Sequence, residues 1–273
     1  MAHKYYMKRA LFIGINYTKT NVELKGCIND VMNMKNYITK VYNVNTGNTK
    51  LLCDNYTQDL RPTYNNILKA FSWLTLKVKA GDSLFLHYSG HGTYVRDINN
   101  DEQDKRDECI CPIDYQTKGF IIDDIINEKL VKKVPKNVKL TCIFDCCYSG
   151  TVLDLKYSLK TQLSRTSIIN NNLIKETILG NVILLSGCRD DQTSADTIEI
   201  NPRTNKYEYQ GALTWAFFEI MKLNNNKIGT KLFILKLNEF LKKKGYKQIP
   251  EITFSIYPNI NENFLLFSQI RAI

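Results

Sequence analysis

Two short motifs, Tyr88-Ser89-Gly90-His91-Gly92 and Asp145-Cys146-Cys147-Tyr148-Ser149-Gly150, carry the residues best equipped for covalent chemistry. A thiol beside an imidazole is the minimum equipment of a cysteine nucleophile with a general base. A free cysteine has a pKa of about 8.5, so only a minor fraction is thiolate at neutral pH. A neighbouring imidazole raises that fraction and can later protonate a leaving amine. The chain has 3 histidines. His3 lies at the terminus and His87 inside an apolar run, where a core histidine is the simpler reading, which leaves His91 as the base. Cys146 and Cys147 are both candidate nucleophiles. On a strand they alternate faces, so only one of them points at His91. Cys53, Cys142 and Cys188 read as small buried hydrophobes. Asp145 projects to the same side as Cys147 if the strand continues, and a carboxylate beside a thiol does not favour thiolate, so it needs another role.

Each motif closes an apolar run that reads as a buried strand, Ser83 to Tyr88 for the first and Val138 to Phe144 for the second. A strand ending in a Gly-rich turn sets the next side chain at the carboxyl edge of a sheet, where open α/β folds keep their sites. Around these runs the pattern alternates. Ala10 to Ile15 reads as a first strand, and Ile28 to Val41 as a helix with Val31, Met34 and Ile38 on one stripe. Ile67, Ala70, Phe71 and Leu74 mark a second helix. Val182 to Leu185 reads as a further strand, and Ala212 to Met221 and Leu232 to Leu241 as two late helices. The alternation predicts an α/β sandwich with a mostly parallel central sheet flanked by helices. Leu155 to Leu179 is polar, with Asn170-Asn171-Asn172, and reads as a surface loop between a large and a small portion.

A chain of 273 residues, 44% of them hydrophobic, can bury one large core or two modest ones. It contains no Pro/Gly/Ser-rich linker ahead of the motifs, no internal repeat and no apolar run of about 18 residues that would cross a membrane. The N-terminal residues lack the apolar core of a signal peptide. Eight cysteines in such a chain are not a dense disulfide framework and read as reduced thiols in a cytosol-like compartment. The net charge of +10 is spread over the chain without interleaved stacking aromatics, which argues for a solvated basic surface rather than a specific nucleic-acid site. Asp97 to Glu108 approaches a calcium-loop pattern through Asp97, Asn99 and Asp101, but Glu102 stands where glycine is required, and no flanking helices are legible. Cys109, Cys111 and Cys146 have no histidine partner nearby and make a poor zinc set.

The motifs, together with Ala10 to Tyr17, Gly26 to Asp30, Leu184 to Asp196 and Gly211 to Thr214, resemble those of the metacaspases, in the family's order from Arg9 to Ser255. The resemblance implies a caspase-like three-layer sandwich in one catalytic domain, 1–273, of a prodomain-less, type I-like member. Its large portion would be about 8–155, its loop about 155–179 and its small portion about 180–273. The family motif sets the nucleophile directly before a variable residue and Ser-Gly, which selects Cys147; Tyr148 departs from the histidine common there. The N–H groups of Gly92 and Cys147 are then the candidate oxyanion hole. Cys27, Asp30, Ser89 and Asp145 match an acidic pocket for Arg or Lys, two carboxylates favouring a cation and opposing an aspartate; Asp30 alternatively charges a helix start. Asp107, Asp123, Asp124 and Asp154 match carboxylates of an activating calcium site, and hard oxygen ligands suit that ion. The implied activity is a calcium-dependent, cytoplasmic, monomeric cysteine endopeptidase cutting peptides after Arg or Lys. Self-processing is expected within 155–179, where Lys156, Lys160, Arg165 and Lys175 offer basic residues. The competing readings are a catalytically silent caspase-fold interaction protein and a basic nucleic-acid binder.

Overall fold

The computed structural model describes residues 6–96, 105–162, 165–172, 174, 177–187, 196–201 and 206–268. Strand β1 (Lys8–Gly14) leads to α1 (Cys27–Val41), β2 (Thr49–Cys53), α2 (Tyr64–Thr75) and β3 (Ser83–Ser89). A small sheet follows, of β4 (Gly92–Arg96), β5 (Arg106–Ile110) and, after the single turn α3 (Tyr115–Lys118), β6 (Ile121–Ile122). Helix α4 (Asp123–Lys129) then leads to β7 (Lys139–Asp145). The second half runs β8 (Tyr157–Gln162), β9 (Arg165–Asn170), β10 (Asn181–Ser186), β11 (Asp196–Asn201), β12 (Lys206–Gly211), α5 (Ala212–Leu223), α6 (Thr230–Lys243) and β13 (Glu251–Phe254).

Eight strands form the main sheet in the order β2-β1-β3-β7-β10-β13-β8-β9. The five from β2 to β10 are parallel, and antiparallel pairing begins at β13. Every residue of β3 is buried, as a central parallel strand covered on both faces must be. Alternate residues serve two cores. Leu84, Leu86, Leu140 and Phe144 pack with Ile67, Phe71 and Leu74 of α2 and with Ile126 of α4. Phe85, Ile143 and Leu185 pack on the other face with Val31 and Ile38 of α1, Phe217 of α5 and Phe233 and Leu237 of α6. Each of these side chains contributes about 1.5–3 kcal/mol on burial. The residues buried along α2 are the Ile67, Ala70, Phe71 and Leu74 that its spacing singled out, and Thr63 caps it by accepting from the Asn66 N–H.

The stretch 155–179 corrects the sequence reading. It is not a loop throughout: β8 and β9 form a hairpin whose first strand pairs with β13, so the hairpin extends the main sheet. Its polar side chains are those of an edge hairpin solvated on one face, a pattern that a loop also shows. Lys160 reaches Glu251 on β13, with both oxygens at 2.9 Å. The rejection of the calcium-loop pattern accords with its flanks, which are strands β4 and β5 rather than helices; Asp97, Asn99, Asp101 and Glu102 lie outside the described residues.

Candidate active site

β3 and β7 are parallel neighbours, with Ser89 opposite Asp145 at their carboxyl ends. One further bond, from the Gly90 N–H to the Asp145 carbonyl at 3.4 Å, keeps the chains together as they leave the sheet. His91 and Cys147 each follow two residues later, so the turns that carry them stand side by side. Their backbones touch. A Cβ on Gly92 would come within 2.1 Å of the Cys147 carbonyl oxygen, an approach that only glycine permits.

Because β7 ends at Asp145, the alternation expected of Cys146 and Cys147 does not apply; a turn separates them instead. Cys146 is 1% exposed and joins the core cluster of Tyr88 and Phe144, with its carbonyl accepting from Ser149 Oγ at 3.0 Å. Cys147 is partly exposed. The geometry leaves the second thiol, not the first, open to a substrate.

His91 is held from several sides. Its Nε2 stands 2.8 Å from the Val22 carbonyl oxygen, which can only accept, so Nε2 carries the hydrogen and Nδ1 keeps the lone pair of a base. The Tyr17 ring lies 4.7 Å from the imidazole, and the Tyr17 hydroxyl accepts the His91 backbone N–H at 3.1 Å. That hydroxyl donates to the Cys111 carbonyl at 2.6 Å, while the Tyr88 hydroxyl donates to the His91 carbonyl at 2.7 Å. Burial pushes both phenols well above their ordinary pKa, so they remain donors.

Asp30, Ser89 and Asp145 meet on the α1/α5 face. Asp30 takes the Ser89 hydroxyl at 2.8 Å and the Gly211 N–H on both oxygens at 3.0 Å. It lies in the first turn of α1, yet these partners come from β3 and the end of β12, so it does more than charge its own helix. Asp145 takes the N–H and the hydroxyl of Thr214, each at 2.8 Å. A Cβ on Gly211 would fall 2.2 Å from Asp145 and 2.7 Å from Asp30, so that glycine stands between the carboxylates. Both acids thus sit at the N-terminus of α5, whose unsatisfied N–H groups favour negative charge. Cys27, the first residue of α1, is buried at the start of the helix that carries Asp30.

Beneath them His87 is fully buried, its Nε2 3.3 Å from Thr214 Oγ1. Burial pushes its pKa down to about 3 from an ordinary 6.5. The unfolded chain therefore binds a proton below pH 6.5 that the folded chain refuses until about 3, so this stability is present above 6.5 and lost as pH falls through that window. Between pH 7 and 5 the wild type should lose about 2 kcal/mol more than a His87→Leu variant, at about 1.4 kcal/mol per unit. Urea midpoints at the two pH values measure it; parallel losses would contradict it.

Asp107 on β5, and Asp123 and Asp124 at the start of α4, occupy adjoining segments. The Glu108 N–H donates to Asp123 at 2.7 Å, and Asp123 also takes the Asp124 N–H at 2.8 Å. Asp154 follows a segment tied to the same region, since Thr151 donates to Glu108 and the Leu153 carbonyl accepts from Asn127 at 3.1 Å. Among the described residues, no group of three or more His, Cys, Asp or Glu side chains is arranged to hold a metal ion. The donor chemistry, all hard oxygen, suits calcium, but among the described residues these carboxylates do not form a cage.

Tyr17, Gly211 and Thr214 were not given roles by the sequence. Tyr17 has φ 52°, which is rare for a tyrosine, and it opens the turn after β1, its carbonyl accepting the Thr20 N–H at 3.1 Å. Gly-x-x-Thr at a helix start is the signal that marks Gly211 and Thr214.

Residues 8–156 match the family model described as metacaspase, peptidase C14 domain. The chain is 36% identical over 274 residues to metacaspase-2 of Trypanosoma brucei brucei, covering 97% of this chain and 79% of that one. It is 33% identical to metacaspase-1 of Saccharomyces cerevisiae, covering 95% and 69%. Among solved structures, a protein of Geobacter sulfurreducens superposes with a TM-score of 0.67 at 21% identity, covering 96% of this chain and 98% of that one. Caspase-1 of Spodoptera frugiperda does so at 0.54 and 9%, covering 98% and 92%. Both likenesses concern the fold, and they place the large sheet with its helical layers among caspase-like architectures.

Proposed function

Since this chain belongs to the metacaspase family and is a cysteine peptidase, we propose that it cleaves proteins and peptides after Arg or Lys, with Cys147 as nucleophile and His91 as base. The observation that carries the reading is the pair of adjoining turns, with Gly92 against the Cys147 carbonyl and His91 anchored through Nε2. His91 Nδ1 takes the thiol proton. The thiolate then attacks the scissile carbonyl carbon, and the oxyanion lies toward the N–H groups of Gly92 and Cys147. When the C–N bond breaks, His91 returns the proton to the leaving amine, and water hydrolyses the thioester. Asp30 and Asp145 receive the cationic side chain before the scissile bond, with Ser89 and Cys27 at the pocket wall. Turnover of Arg- and Lys-ending peptides, with little on Asp-ending ones, is the test. A silent binder would show no Cys147-dependent turnover at any calcium level.

Asp107, Asp123, Asp124 and Asp154 would hold an activating calcium ion, whose charge would act as a switch rather than as catalyst. When bound it would neutralise these carboxylates and order the segment that links Cys147 to Asp154. Asp124→Ala is expected to raise the calcium needed for half-maximal activity by about tenfold, with the fold intact by circular dichroism and magnesium a poor substitute. Full activity of the chelator-treated wild type, or an unchanged response in the variant, contradicts this.

Self-processing follows from the same specificity. Lys160 and Arg165 are in the β8–β9 ladder, and the Lys156 carbonyl accepts the Asn171 N–H at 2.8 Å, so cutting at any of them requires opening the hairpin. That leaves Lys175, outside the described residues, as the position to examine. Wild type with calcium should be nicked there and Cys147→Ala should stay intact; equal nicking of purified Cys147→Ala would contradict it. We read the enzyme as a monomer, as its family resemblance implies, although the hairpin leaves β9 as the edge strand of the main sheet. Among the described residues no helix is long and apolar enough to cross a membrane. A cytoplasmic setting accords with Cys53, Cys109, Cys111 and Cys142, which are buried thiols.

A further inference from the structure

We propose that His87 is a positioning residue for the pocket that receives the basic side chain, acting through Thr214 on Asp145; this rests on the reading of Asp145 as the acid that meets the substrate's cation. His87 lies two residues before Ser89 on β3, fully buried on the face covered by α1 and α5. Thr214 gives its N–H and its hydroxyl to one Asp145 oxygen, each at 2.8 Å. A hydroxyl has a single proton, and a carboxylate is a stronger acceptor than a neutral imidazole nitrogen. Thr214 Oγ1 can therefore only accept from His87 Nε2, 3.3 Å away. That fixes the tautomer, with the hydrogen on Nε2 and the lone pair on Nδ1.

His87 Nδ1 has no hydrogen-bond partner among the described residues, although it is buried. Burying an unmet acceptor is unfavourable, so an apolar side chain of similar size would suit the core better. What imidazole adds, and Leu or Phe cannot, is the donor to Thr214. Threonine near a helix start divides between rotamers, because its hydroxyl can also turn toward the preceding carbonyls. The His87 donor selects the rotamer that faces Asp145 and so sets the plane of that carboxylate. A guanidinium or ammonium then meets one fixed orientation, and binding loses less to reorganisation.

The experiment is steady-state kinetics on an Arg-ending peptide for wild type, His87→Leu, His87→Gln, Thr214→Val and the His87→Leu/Thr214→Val double variant. Wild type is first compared on Arg-, Lys- and Asp-ending peptides. Lack of a basic preference refutes the specificity reading and the proposal with it; given that preference, the variants judge the proposal alone. His87→Leu should raise KM about fivefold, the worth of one hydrogen bond, with kcat within about twofold. His87→Gln, whose amide N–H reaches the place of Nε2, should restore KM to within about twofold of wild type. Thr214→Val should raise KM at least as much, and adding His87→Leu to it should change nothing further, since the route through the hydroxyl is already gone. Unchanged KM in His87→Leu, no rescue by glutamine, or additive effects in the double variant would each overturn the proposal. Should His87→Leu not fold, His87→Phe takes its place, with KM expected to rise about fivefold and an unchanged KM overturning the proposal.

Discussion

Cys147→Ala is expected to lower kcat/KM on an Arg-ending peptide by about 10^4-fold or more, because it removes the thiol that forms the thioester in the proposed mechanism. Cys146→Ala is the informative companion. Its thiol is in the core cluster with Tyr88 and Phe144, so its loss leaves a small cavity and costs about 1 kcal/mol of stability, with activity largely kept. Two adjacent cysteines thus have opposite signatures, one in rate and one in melting temperature. Measuring both properties for both variants separates them. Residual turnover in Cys147→Ala that disappears in Cys146→Ala would reverse the assignment.

The second large effect concerns specificity. Asp145→Asn keeps the shape of the side chain and can still accept from Thr214, but it removes one of the two charges beside Gly211. Losing one partner of a desolvated charge pair costs about 2–5 kcal/mol, so kcat/KM for Arg and Lys substrates should fall about 30-fold to several thousandfold. A Gln-ending peptide, which carries no charge, should be affected far less. Equal losses on the charged and neutral peptides would mean that Asp145 supports the fold rather than the pocket.

Much of this architecture was legible in the residues. The strands that carry His91 and Cys147, their Gly-containing ends and the apolar stripe of α2 follow from period and turn chemistry alone. The β8–β9 hairpin was not, because an edge hairpin with one solvated face has the composition of a loop, and its pairing to β13 is a contact over some ninety residues of sequence. The choice between Cys146 and Cys147 needed the family motif, since the strand argument fails once β7 is seen to end at Asp145. Tyr17 and Thr214 escaped for a related reason: a hydroxyl's use depends on which backbone group or carboxylate it faces. His87 was read as a core histidine, and its burial agrees, but only the bond to Thr214 connects it to the acids.

The most direct measurement is mass-spectrometric mapping of the adduct left by an Arg-based chloromethyl ketone on the calcium-treated protein. The adduct should lie on Cys147 and form at least about tenfold faster than with an Asp-based reagent of the same length, as the proposed pocket of Asp30 and Asp145 requires. An adduct on Cys146 with Cys147 unmodified, or equal rates for the two reagents, would contradict the account.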